Sequence, residues 1–515
     1  MMSGSDPKIL GTERPEVVPA EPGAVSAEPG AVPAEPGAVS AEAEAVSAEE
    51  ENALVGGHPW RWWILAVVLL AEVLDLLDAT VVNVAAPSIR ADLGGGVSMI
   101  QWIAAGYTLA FGVLLVIGGR LGDRFGRRRM FLIGAVGFTT ASVASALATS
   151  PEMLIGFRVL QGALGAVLVP QGLGVIKSVF PADQLGKAFS AFGPVIGLSA
   201  VCGPILAGAL IDLDAWGTGW RMIFLINLPL GIAAVYGAAR WMPKDPPRPG
   251  VVIDGFSGAL LALASLLVIY PLIQGPEHDW PLWTYLSLAA GLLVGLVFGY
   301  RERFSADPLI APGLWRNRSF ASGMLLGLVF FASVSGLMLT VSLFIQGYLH
   351  YSPLRAGLTM APLALGIVLG SFAAYPLIPR LGRRLLLIGL LIDVVGVLAL
   401  AEVVHHYGDH TGNLVLFGPT LVIGFGMAGV FAPLFDLILA GVADEESGSA
   451  SGTLTAMQQL AGAVGVAGVT TVFLSLLERH SGPDAMALST VVVAGMVLFA
   501  GALVFLLPRQ AKADG

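Results

Sequence analysis

From residue 62 onward, apolar runs recur along the chain, each broken by a short cluster of Gly, Pro or charge. A run of about 20 apolar residues is long enough to cross a bilayer as a helix. The pattern predicts spans near 62–85, 100–119, 129–148, 153–176, 187–210, 221–241, 255–274, 282–300, 320–346, 354–377, 384–404, 414–440, 452–477 and 485–507. That is an all-α integral membrane protein with fourteen spans. Irregular backbone at this depth would leave N–H and C=O groups unpaired in lipid, so helices are the reading the pattern allows.

Composition agrees. Of 515 residues, 56% are hydrophobic and 12% charged, against about 25% charged in soluble domains. The 66 glycines suit helices packed backbone to backbone. A lone cysteine, Cys202, excludes a disulfide framework and says nothing of redox compartment.

The net charge of −9 belongs to residues 1–57, where Lys8 and Arg14 face one Asp and ten Glu. There, AEPGAVS, AEPGAVP, AEPGAVS and AEAEAVS follow one another from Ala20 to Ser47. Pro-Gly in three copies forbids a continuous helix, so this reads as a disordered acidic low-complexity tail. It has no basic segment ahead of an apolar core and so is not a secretory signal. The expected domains are this tail, a six-helix bundle over 58–241, two added spans over 242–308, a second six-helix bundle over 309–507 and a short tail, 508–515.

Loop charge orients the chain. Outside the tail, one set of loops and ends carries twenty Lys and Arg residues. The opposite set carries only Arg90, Arg221, Arg355 and Arg479. The positive-inside rule then places both termini in the cytoplasm and the protein in the cytoplasmic membrane. There is an internal echo: GDRFGRRR (122–129) follows the second span and IPRLGRRL (378–385) follows the tenth. Two halves built as repeats, with a site between them, are a transporter signature.

The first span carries Glu72, Asp75 and Asp78 at intervals of three. They lie within an arc of about 120° and rise about 9 Å. Three acids on one face are tolerable only if that face lines a wet cavity or stays partly protonated. An acid that exchanges its proton in this way is what a proton-coupled carrier needs. Arg158 is the only basic residue well inside a predicted span and needs a carboxylate or water beside it. Asp393 and Asp436, in the eleventh and twelfth spans, could each face the central cavity or a helix contact.

Several stretches carry a family resemblance. GRLGDRFGRRR (119–129) resembles the loop motif of the major facilitator superfamily, and RVLQGALGA (158–166) its fourth-helix motif. GLSAVCGPILAG (197–208) resembles the fifth-helix motif associated with antiporters. LDATVVNVAAP (77–87), WRMIFLINLPLG (220–231), QGYLHYSPLRAG (346–357) and GSASGTLTAMQQLAGAVGVA (448–467) are similar to signatures of its fourteen-spanner drug:proton antiporters. The resemblance covers about residues 60–507. It implies the major facilitator fold, two six-helix bundles plus two central helices. It aligns Asp78 with the family's usual acid and gives Arg158 a coupling role. The second-half loop departs from the first, with Pro379 where the first has Asp123. The thirteenth span reads Leu454-Thr455-Ala456 where the family often has Leu-Asn-Thr.

In the loop motif, Gly119, Gly122 and Gly126 permit tight turns. Asp123 can pair with a nearby Arg, Arg124, Arg127 and Arg128 among them, or face a helix N-terminus, and so lock a gate. The Arg residues also set topology. In the fifth span Gly203-Pro204 removes one helical hydrogen bond, and Gly197, Gly203 and Gly208 offer a flat packing face.

His405, His406, Asp409 and His410 cluster in an outer loop, where adjacent histidines are weak evidence for zinc, and no metal site is assigned. Gly-rich stretches lack the GKS/T ending of a nucleotide-binding loop, so the expectation is no cofactor and no enzyme activity. The function expected is proton-coupled export of hydrophobic, cationic small molecules by alternating access, multidrug or antibiotic efflux. The partners are an amphiphilic substrate, protons and the bilayer, with no nucleic acid, and the chain is a monomer. The alternatives are a symporter for a polar nutrient and a non-transporting receptor or scaffold.

Overall fold

The computed structural model describes residues 57–507 except 182, 183, 186, 189, 190, 248, 249, 252, 306, 307, 440, 441 and 443–445. The predicted tails at 1–56 and 508–515 lie outside the described residues. Among these residues the fold is helical, with no strand.

The long helices are α1 Arg61–Leu93, α2 Val97–Phe125, α3 Arg127–Ala146, α4 Pro151–Val179, α5 Phe192–Leu213, α6 Asn227–Trp241, α7 Gly255–Gln274, α8 Leu282–Phe304, α9 Arg318–Leu343, α10 Pro353–Ala374, α11 Arg383–Tyr407, α12 Asn413–Leu439, α13 Ser447–Leu477 and α14 Gly482–Leu503. Twelve helices among the described residues are long and apolar enough to cross a membrane. α1, at 33 residues the longest helix, is set apart by the three acids over its centre.

Local chemistry places the helix starts. Ser150, Ser352 and Ser481 each accept a hydrogen bond from a first-turn backbone N–H, with Pro at the start of the helix. Asn317 and Asp254 do the same for α9 and α7 without the proline. Observed ends differ from the sequence pattern by a few residues. α1 runs on through Pro87 to Leu93, beyond the expected 85, and stops where Gly94 takes φ 75°. The end of α9 loosens into a π-turn over Phe344–Tyr348, ahead of His350 at φ 54°.

Within α1–α6, α2 and α3 pack on α4, and α1 packs on α4, α5 and α6. Within α9–α14, α12 packs on α10 and α11, and α13 on α9. The two sets meet along α2 with α13 and along α5 with α10. α7 and α8 pair with each other, and α7 lies against both α2 and α13. The Arg-bearing turns at 122–129 and 378–385 lie at the same end of the helices, termed here the Arg end. Direct hydrogen bonds between the two sets gather, among the described residues, near the other end. Gln101 donates to the Ala467 carbonyl at 3.1 Å and to Thr471 Oγ1 at 3.2 Å. Ser342 donates to the Asn83 carbonyl at 2.6 Å. The Asp212 carboxylate accepts from the Ser352 hydroxyl at 2.9 Å and from Leu354 N–H at 3.3 Å.

α7 reinforces that end. Thr471 donates to the Leu272 carbonyl of α7 at 2.8 Å, so Gln101, Thr471 and Leu272 chain three helices together. At the Arg end, Asp254 at the start of α7 is ion-paired with Arg301 in the last turn of α8.

Candidate functional site

Asp78 lies in the middle of α1, on the face turned toward α4 and α6. Its side chain is 0% exposed and forms an ion pair with Arg158 of α4, 1% exposed. A carboxylate in such a place needs its remaining lone pairs filled. Gln161 Nε2 donates to Asp78 Oδ1 at 2.8 Å and Asn227 Nδ2 to the same oxygen at 2.9 Å. Gln161 is three residues beyond Arg158, which puts both on one face of α4. Arg158 also donates to Gln161 Oε1 at 2.8 Å.

The network extends to α3 and α2. Asn227 Nδ2 donates to Ser142 Oγ at 2.9 Å, and Ser142 donates to the Phe224 carbonyl at 3.0 Å. The Arg158 guanidinium lies over the Tyr107 ring, 4.3 Å from its centroid, a cation–π contact. The Tyr107 hydroxyl donates to Asp75 Oδ1. Asp75, Tyr107, Arg158 and Asp78 thus form one buried chain of contacts on three helices. Glu72, one turn before Asp75, is half-buried and makes no hydrogen bond among the described residues.

The carboxylate of Asp78 thus engages Arg158, Gln161 and Asn227 together, which ties α1 to α4 and α6.

The other predicted residues lie elsewhere. Asp393 is buried on α11 against α12, and its Oδ1 has no hydrogen-bond partner. Its backbone fits so closely to Gly426 that a Cβ there would sit 2.7 Å from Asp393 Cα. Asp436 is exposed in the last turn of α12. Neither joins the Asp78 network.

In the loop motif, Asp123 pairs with Arg127 at 3.0 Å, and both are partly exposed. Arg127 also donates to the Gly174 carbonyl at 2.8 Å, and its backbone N–H to Asp245 at 3.3 Å. Arg128 donates to the Ala239 carbonyl. Arg124 lies over Phe125. Gly126 takes φ 94°, which a side chain rarely tolerates, and Gly122 abuts the Gln171 amide. Gly119 is more open, its nearest neighbour Pro170.

On α5, a Cβ on Gly208 would meet Leu354 Cα at 2.5 Å, and the glycine of α10 that answers it, Gly357, abuts the Pro204 carbonyl. Gly203 faces Thr80 of α1. Pro204 sits within continuous helix. The packing of Gly197 lies outside the described residues. His405 reaches Asp484 at 3.0 Å and Asp409 accepts from Tyr348 at 2.9 Å, so the outer-loop cluster is split between partners.

Sequence reasoning missed Tyr107, Gln161, Asn227 and Ser142. Gln161 was within reach, being one turn from a buried Arg. Asn227 stands in a quoted signature, but only the fold brings it to Asp78.

An all-helical membrane protein with a buried acid–Arg pair inside one helical set, and a repeated turn in each half, has the build of a secondary transporter. The chain matches the Major Facilitator Superfamily over residues 68–466 and belongs to it. It is a transporter, not an enzyme. It is 47% identical over 431 residues to a probable actinorhodin transporter of Streptomyces coelicolor, covering 82% of this chain and 74% of that one. It is 36% identical over 429 residues to a puromycin resistance protein of Streptomyces alboniger, with coverage of 82% and 84%. It is 31% identical over 421 residues to a tetracenomycin C resistance and export protein of Streptomyces glaucescens, with coverage of 80% and 75%. Among solved structures, a D-xylose–proton symporter superposes with a TM-score of 0.62 at 15% identity, over 88% of this chain and 99% of that one; that likeness is one of fold.

Proposed function

We propose that this chain is a proton-coupled exporter of hydrophobic, cationic or neutral small molecules, of the antibiotic-efflux kind, in the cytoplasmic membrane. The buried Asp78–Arg158 pair carries the reading, because a dry ion pair broken by one proton is a means of coupling. Export rather than uptake is supported by relatives named for antibiotic resistance and export. All fourteen long helices cross the membrane, with α1–α6 and α9–α14 as the two halves and α7–α8 added between them. Both termini are cytoplasmic, so the Arg end faces the cytoplasm. Hydrogen bonds gathered at the other end support an outside-closed state, ready to load cargo from within.

In the cycle, cargo binds while the acids of α1 are ionised. The halves rock, protons enter from outside and cargo leaves. The protonated carrier returns and releases its protons inside. The Asp123–Arg127 contact holds the first-half loop shut against α4 and opens as the halves move.

The test is transport in proteoliposomes under an imposed pH gradient, with a panel of cationic dyes and neutral amphiphiles. Gradient-driven exchange is expected, and Asp75→Asn and Asp78→Asn should abolish it in correctly inserted protein. Cargo moving in the same direction as protons would mean a symporter. No movement of any compound would mean a receptor or scaffold.

A further inference from the structure

The two copies of the Arg-bearing turn are wired differently. In the first, Asp123 and Asp245 both engage Arg127, and Arg128 is held by the Ala239 carbonyl. In the second, Pro379 replaces the acid. Arg383 donates to the Leu507 carbonyl at 2.8 Å and lies 5.9 Å from the Phe505 ring centroid. Arg380 and Arg384 are exposed and make no ion pair or hydrogen bond among the described residues.

These three guanidinium groups head a cavity of about 860 Å³. No acid lines it. Below them the lining is Leu387, Ile388 and Leu391 of α11, with Phe505 beside it. Arg384, Ile388 and Leu391 fall on one stripe of the helix, and about 10 Å separates the first from the last. Ile388 is 45% and Leu391 52% exposed, so the apolar part opens outward, where acyl chains lie. A soluble anion has no use for that apolar stripe, and an uncharged apolar ligand none for the three cations. Arg binds phosphate through paired N–H groups, and basic pockets at helix ends hold anionic headgroups.

We propose that this groove binds an anionic phospholipid from the leaflet at the Arg end. The lipid phosphate sits between Arg380 and Arg384, and an acyl chain runs along Leu387, Ile388 and Leu391. Arg383, tied to Leu507, keeps the floor of the site in place. A lipid held there tethers the turn between α10 and α11 to the leaflet, a role the first-half turn, with its own acids, does not need.

The test is native mass spectrometry of the full chain with phosphatidylglycerol or phosphatidylcholine of matched acyl chains. Phosphatidylglycerol should be retained above phosphatidylcholine. The variant R380Q/R384Q should weaken that retention by about fivefold per guanidinium removed. The control R316Q/R318Q, which removes the same charge at the same end, should retain it as the parent does. R380K/R384K should fall between parent and Gln variant, which keeps the test open if the latter fails to fold. Equal retention of the two lipids, unchanged retention in R380Q/R384Q, or equal loss in the control would overturn the proposal. So would displacement of the lipid by soluble glycerol phosphate, which would mean a free-phosphate site.

Discussion

Asp78 and Arg158 neutralise each other with essentially no solvent at either side chain, although 80 residues separate them in the chain. Breaking a buried pair strands a charge and costs about 3–5 kcal/mol, whereas replacing both partners with apolar groups is often neutral. Asp78→Leu and Arg158→Leu should therefore each lower the melting temperature sharply in detergent. The double variant should recover most of the loss while remaining inactive in transport. A double variant no better than the worse single would show that the pair does not hold α1 to α4.

The contact of α5 with α10 depends on small residues. Valine at 208 would push into the backbone at Leu354, which cannot move aside as a side chain could. Gly208→Val should therefore open this end. With Cys202 replaced by Ser, spin labels at Leu213 and Leu358, both exposed, should report longer distances in the Gly208→Val protein. An unchanged distance distribution would contradict the role given to this contact.

The α7–α8 pair carries a pH-dependent clasp. Burial pushes the Asp254 carboxyl up, but hydrogen bonds from Arg301 and from the Ser257 backbone and hydroxyl outweigh it and hold it at about 2, below the ordinary 3.8. A depressed carboxylate contributes stability above its unfolded value and loses it as pH falls through the folded one. Thermal stability should accordingly drop as pH falls from about 4 toward 2. Asp254→Asn should be less stable at neutral pH and lose that part of the slope. Parallel pH profiles would remove Asp254 from the account.

Much of the fold was legible in the chain. Spanning helices follow from runs of apolar residues, because lipid leaves the backbone no partner but itself. Asp78 and Arg158 were legible for the same reason. Charge inside an apolar run is costly, and that cost marks a residue with a partner. Asp393 and Asp436 carried the same mark, yet one is packed against α12 and the other exposed in the last helical turn. Distance from the helix middle sets Asp436 apart but not Asp393, because it does not say which neighbour covers which face.

The sequence by itself determined that this is a polytopic helical membrane protein, where its acids and arginines fall along the helices, and that two of its turns echo one another. Each is a local property, read from hydropathy, charge and spacing. Only the tertiary structure decided that Tyr107, Gln161, Asn227 and Ser142 complete the site around Asp78 and Arg158, that α7 bridges α2 and α13, and that the second turn's arginines head an apolar groove. These depend on which helix faces meet, and side chains from five helices converge on one carboxylate network only after all five have packed.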